Sequence, residues 1–197
     1  MHIGTVGSTN SDLNEPVDIA FDSATSTIYI ADSQNHRIMA YSSGASAGSV
    51  AAGGNGMGTA TNQLHTPCSV YFDSTNNSLI VANCGAYNIV RWPIGGSSWT
   101  LVAGVTGIFG TSALHLFVPC DITLDSFGNL YVADTANHRI QFFRAGESNG
   151  TTIAGMTSTP GSANNRLDTP YGLAIDSQLN VYVVDNKNYR IQKFQRY

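Results

Sequence analysis

The chain repeats itself. Four segments opening at Leu13, Leu64, Leu116 and Leu167 superpose, with starts 51, 52 and 51 residues apart. Each carries a proline three residues on (Pro16, Pro67, Pro119, Pro170), and beyond it an aspartate (Asp22, Asp73, Asp125, Asp176) at the same steps. A fixed period of this size marks an array of equal supersecondary units, and it restricts the fold more than composition does.

Within a unit, apolar residues alternate with period two. In the first, "VDIAF", "TIYIA" and "RIMAY" read as strands separated by turns after Asp22 and through Asn35. A fourth strand follows a variable loop, as "SVAAG", "TLVAG" and "TTIAG", closed by Gly53, Gly104 and Gly155. The repeats are 13-63, 64-115, 116-166 and 167-197. One four-stranded antiparallel sheet cannot bury both faces alone, so neighbouring sheets must stack about an axis. The predicted fold is all-β, a single β-propeller domain over residues 1-197. A β-sandwich would not need the same turn chemistry four times, and β-helix repeats are shorter and lack hairpins. The last unit stops after its third strand, and "IGTVG" from Ile3 to Gly7 reads as an outer strand of the last or of a preceding blade. Four units make either a closed four-bladed ring or part of a larger one.

Twenty glycines punctuate the chain and argue against long helices. No apolar run is long enough to span a membrane. A net charge of -4 weighs against a nucleic acid partner. Cys68, Cys84 and Cys120 are an odd set without C-x-x-C spacing, which predicts small buried residues rather than a zinc knuckle or a disulfide framework. "NNS" at Asn76 and "NGT" at Asn149 fit glycosylation acceptors in turns.

The stretch "DTANHR" (Asp134 to Arg139) recurs in three units. Its acid column reads Asp32, Asn83, Asp134, Asp185 and its base column Arg37, Asn88, Arg139, Arg190. Unit two loses acid and base together, as expected of a carboxylate and a guanidinium bound across a hairpin. Asp32 with Arg37, Asp134 with Arg139 and Asp185 with Arg190 are therefore predicted structural pairs, and no residue is assigned to catalysis. His36, Tyr87, His138 and Tyr189 share one column and read as rings packing on the next unit.

These residues resemble the NHL repeat family, most closely in "DSFGNLYVADTANHRI" of the third unit. The resemblance covers residues 13 to 197, with unit two departing at "ANCGAYNIV". It implies propeller blades, six to a ring in most members. It also implies function classes: protein recognition, RNA binding, or a peptide-amidating lyase activity that uses metal at the central end.

Antiparallel parity puts the loop leading into strand one and the turn between strands two and three at one end. There the columns vary in chemistry, and Asp18, His65, Cys68, His115, Cys120, Asp121, Asp168 and Tyr171 are the predicted mouth of the channel. His65, His115, Cys68, Cys120 and Asp121 also sketch a metal site. On balance the sequence predicts a noncatalytic recognition or scaffold module binding a protein, peptide or small polar ligand, without a cofactor. A metal-dependent lyase or hydrolase using zinc or calcium is the alternative, and RNA binding a second one.

Overall fold

The computed structural model describes residues 5–195. Blade one consists of β1 (Pro16–Asp22), β2 (Thr27–Asp32), β3 (Arg37–Ser42) and β4 (Ser49–Gly53). Blade two has β5 (Pro67–Asp73), β6 (Ser78–Asn83), β7 (Asn88–Pro93) and β8 (Thr100–Gly104). Blade three has β9 (Pro119–Leu124), β10 (Leu130–Asp134), β11 (Arg139–Phe143) and β12 (Thr151–Gly155). In blade four, β13 (Pro170–Ile175), β14 (Val181–Asp185) and β15 (Arg190–Phe194) form a three-stranded sheet. Every sheet is an antiparallel meander in chain order. The predicted propeller blades are thus present.

Period-two alternation decides which neighbour each side chain faces. In β6, Leu79 and Val81 join a core with Tyr29, Ile38 and Trp92 between blades one and two. Ile80 and Ala82 point the other way, into a core with Ile122, Leu130 and Phe143 between blades two and three. Tyr131 and Ala133 of β10 then meet Leu167, Val181 and Val183 between blades three and four. The repeat leucines Leu64, Leu116 and Leu167 are fully buried, one in each junction. Strand one of each blade lies innermost, with β1 beside β5, β5 beside β9 and β9 beside β13.

Among the described residues the buried clusters fill these three junctions, and none joins blade four to blade one. The outer faces of the terminal blades are open instead. Ile19 is 66% exposed whereas Val70, its counterpart in blade two, is 4% exposed. Of the segment expected as an outer strand, residues 1–4 lie outside the described residues. Val6 forms a parallel bridge with Leu13, as Met57 does with Leu64 one repeat later, which places it in the loop leading into blade one.

Two local devices shape the mouth. First, the turn between strands two and three is one turn of 3-10 helix ended by a residue in the left-handed region: His36, Tyr87, His138 and Tyr189, with φ of 54°, 59°, 56° and 53°. Gly53, Gly104 and Gly155 pass so close that a side-chain carbon there would meet the carbonyl of His36, Tyr87 or His138, and their own φ is positive. Only glycine meets both demands without strain. Second, the innermost strand starts with a bulge. In β1 and β5 the ladder steps from Pro16 to Asp18 and from Pro67 to Ser69, and β9 skips from Pro119 to Asp121. The unpaired residues are Val17, Cys68 and Cys120. A bulge redirects its extra side chain away from the sheet's regular alternation.

Candidate functional site

A hydrogen-bonded frame holds the mouth. The Asp134 carboxylate accepts Phe117 N at 2.7 Å, Asn137 Nδ2 at 2.8 Å and Arg139 Nε at 2.8 Å. The Arg139 fork reaches on to the carbonyls of Thr111, Ser112 and His115. Asp32 with Arg37 and Asp185 with Arg190 repeat this geometry, each pair at 2.7 Å. Each pair thus ties the two-three turn to the loop leading into its own blade.

Blade two keeps half of the frame. Asn83 Oδ1 still accepts His65 N at 2.6 Å, but Asn88 donates to Thr106 Oγ1 and reaches no loop carbonyl. The indole of Trp99 does so instead, donating from Nε1 to Ala60 O and Gln63 O at 3.1 and 2.9 Å. These carbonyls match those of Ser112 and His115, which Arg139 binds in blade three. Trp99 stands in the column of Gly48 and Gly150, where a side chain would strike Tyr41 or Phe143. Asn83 Nδ2 and Asn88 Oδ1 are buried and lack partners among the described residues.

Nearer the axis, side chains link blade to blade. Asp18 accepts Val70 N at 2.9 Å, Ser69 Oγ donates to Asp121 Oδ1 at 2.9 Å, and Asp121 Oδ2 accepts Leu173 N at 2.7 Å. Burial pushes the Asp121 carboxyl up, against the hydrogen bonds from Leu173 and Ser69 and with the Asp18 charge adding to it. His36 and His138 also act across junctions, their Nδ1 atoms accepting Thr66 N and Thr169 N at 3.1 Å. A ring nitrogen that accepts carries no proton, so the approach of His138 Nδ1 to Asp168 at 3.5 Å is not an ion pair. Tyr87 packs edge-on against Phe109 and Phe117, whereas Tyr189 is 96% exposed.

The structure then gathers what the sequence scattered. The sulfurs of Cys68, Cys84 and Cys120 lie within 4.8 Å of one another at the junction of blades two and three. Cys68 and Cys84 are joined as a disulfide with Cα atoms 5.9 Å apart, and Cys120 is a free, buried thiol. Burial pushes the Cys120 thiol up, opposed by a hydrogen bond with Thr135. Cys68 and Cys120 come from the bulges of β5 and β9. Cys84 opens the 3-10 turn of blade two, in the column of Thr135, and its sulfur sits against the Pro119 carbonyl as Thr135 Oγ1 sits against that of Pro170. The expectation of small buried cysteines without a disulfide is thereby corrected: two of them are bonded and all three lie together.

The cluster also corrects the sketched metal site. Cys68 and Cys120 meet, joined by Cys84, which the sequence reading left out. His115 turns to Ser112 Oγ at 2.7 Å, and Asp121 is taken by backbone N–H groups. His65 stays close by: its half-buried ring covers Gly85, next to Cys84, and stands edge-on to His36 with ring centres 6.1 Å apart. Burial, and then His65, lower the pKa of His36. Tyr171 is half-exposed at the mouth, its hydroxyl pKa raised by burial and by Cys120 and Asp121. The signal for Cys84 was its turn column, which the Pro67–Asn83 register brings to the same end as Cys68.

The NHL repeat family profile matches residues 119–143 and 167–194, so the NHL-repeat motif is present in blades three and four, on a fold consistent with that family. No curated protein matches the chain in sequence. Solved structures do match. A gluconolactonase from Xanthomonas campestris is 16% identical, with 95% of this chain and 60% of that one covered and a TM-score of 0.72. The nidogen/laminin complex gives 19% identity, 94% and 65% coverage and a TM-score of 0.70. A streptogramin B lyase gives 13%, 98%, 54% and 0.64. The chain spans about half the length of the first solved structures it matches. At these identities the likeness establishes the fold. Among the described residues no helix is long and apolar enough to cross a membrane.

The expectation that weighed against an enzyme is overturned. Three clustered sulfurs, two of them buried, that could chelate a metal once reduced, on a fold found in a lyase and a gluconolactonase as well as in a nidogen/laminin complex, make catalysis at least as well supported.

Proposed function

We propose that this chain of NHL repeats forms the metal-bearing part of a lyase or hydrolase, with Cys68, Cys84 and Cys120 as ligands and the channel mouth as the substrate site. The observation that carries this reading is the convergence of three sulfurs from two blades within 4.8 Å. Thiolates are soft donors suited to zinc, whose tetrahedral bonds to sulfur are about 2.3 Å and which needs three protein ligands to leave a position open. Calcium takes oxygen ligands and does not suit this set. A zinc so held supplies polarisation of a carbonyl or of a bound water.

The chain's own groups have separate tasks. His65, next to the cluster and half-buried, is placed to take or return a proton at the mouth. Tyr171 offers a hydroxyl to a polar substrate. Asp18 and Asp121 are spent on backbone N–H groups of adjacent blades and position the inner strands. The likeness to a gluconolactonase supports trying lactones first.

Metal analysis of protein purified under reducing conditions tests this reading. About one zinc per chain is expected, with loss in Cys84→Ser and Cys120→Ser and retention in His115→Ala. Activity on lactone substrates should fall with a chelator and with His65→Ala. Reduced, folded protein without stoichiometric metal would overturn it. A protein or peptide partner is a compatible second reading, favoured by the exposed Ile19 and Phe21 on the uncovered face of blade one. Such a partner would be displaced by Ile19→Lys and not by a chelator.

A further inference from the structure

The same three sulfurs occupy a second chemical state. As a disulfide, Cys68 and Cys84 have no thiolate to offer, and Cys120 alone cannot hold a metal. The link and a three-thiolate site are therefore mutually exclusive uses of one set of atoms. Both fit the same backbone: the Cα separation of 5.9 Å is in the ordinary range for a disulfide, and all three sulfurs stay within 4.8 Å. Access differs among them. Cys84 and Cys120 are 3% and 7% exposed, while Cys68, carried out by the bulge of β5, is partly open to solvent.

We propose that the cluster is a redox gate for metal, opened and closed through Cys68 by a small-molecule disulfide. This rests on the metal reading above. The Cys68 thiolate attacks one sulfur of the reagent, a mixed disulfide forms and one reagent thiolate leaves. Cys84 then attacks the Cys68 sulfur, forming the internal bond and releasing the second thiolate. The two cysteines together lose two electrons, the reagent gains two, and the metal departs as its ligand set falls from three sulfurs to one. Cys120 takes no part in the exchange and serves only the metal state. An external dithiol reverses the sequence and restores the site.

The test begins with reduced protein loaded with zinc and a dye that reports free zinc. Adding oxidised glutathione should release the zinc in proportion to Cys68–Cys84 bond formation, read by peptide mapping of the same samples, with Cys120 still alkylatable after denaturation. Cys120→Ser should form the same bond without holding zinc. Cys68→Ser, checked for folding by circular dichroism, should hold zinc more weakly and keep it in the presence of the oxidant. Zinc retained after the bond forms, or a bond that includes Cys120, would overturn the gate while leaving the metal site intact. Reduced protein that binds no zinc would overturn both.

Discussion

At the residue scale, the hairpin pairs show how a charged group becomes tolerable inside a β-sheet protein. Asp134 is fully buried and accepts three hydrogen bonds, and Arg139 spends its fork on loop carbonyls. Removing one partner strands the other. Asp134→Ala and Arg139→Ala should each cost about 3 kcal/mol, and the double variant less than their sum, as read from urea melts. Additive losses would contradict the coupling. In blade two Trp99 has taken over the carbonyls, so Trp99→Phe should cost about 1–3 kcal/mol by taking the indole donor from Gln63 O and leaving Ala60 O with Gln63 N alone. Asn83→Asp with Asn88→Arg should recover stability only when Trp99→Gly is added, because guanidinium and indole claim the same oxygens. The joint loss of acid and base was visible in the sequence columns. The identity of the replacement donor was not, since Trp99 lies eleven residues past Asn88 and meets the loop only through the fold.

At the scale of the element, the aspartate at the end of each first strand, or directly after it, controls the turn that follows. Asp176 accepts Gln178 N and Asn180 N at 2.9 Å, Asn180 Nδ2 at 2.8 Å and the Tyr182 hydroxyl at 3.1 Å. The Asn180 side chain and these other donors favour the charged form and lower the Asp176 pKa to about 2, from 3.8. A carboxyl whose pKa falls on folding adds stability that is complete above pH 3.8 and lost as pH drops through about 2. A carboxyl-detected NMR titration should find Asp176 ionised at pH 3, and Asp176→Asn should remove its share of the pH dependence of unfolding between those limits. A titration midpoint near 3.8 would deny the turn this role. Asp22, Asp73 and Asp125 sit in the same position and accept from their own turns. The strand and turn pattern was legible because period and turn chemistry are local. The bulges at Val17, Cys68 and Cys120 were not, because a bulge is a relation between two strands.

At the scale of the whole molecule, stability resides in three junctions between blades, and equivalent residues differ in weight according to whether a junction covers them. Val70→Ala should cost roughly 2 kcal/mol, whereas Ile19→Ala in the same column should stay within about 0.5 kcal/mol. Equal losses in paired thermal or urea melts would mean that the face of blade one is covered in solution. The sequence columns bring several polar residues and cysteines to one end of the blades, and which of them meet is a matter of packing between sheets. Cys68 and Cys120 meet Cys84, whereas His115 turns to Ser112 and Asp121 to backbone amides.

By itself the sequence determined the blade: its length, its four strands, its turn residues and the paired charges of its hairpin, all set by interactions within some thirty residues. Tertiary structure decided which columns from different blades come within bonding distance at the axis. That distance depends on how side chains pack between sheets, and it is why three cysteines with no spacing in common end up as one cluster.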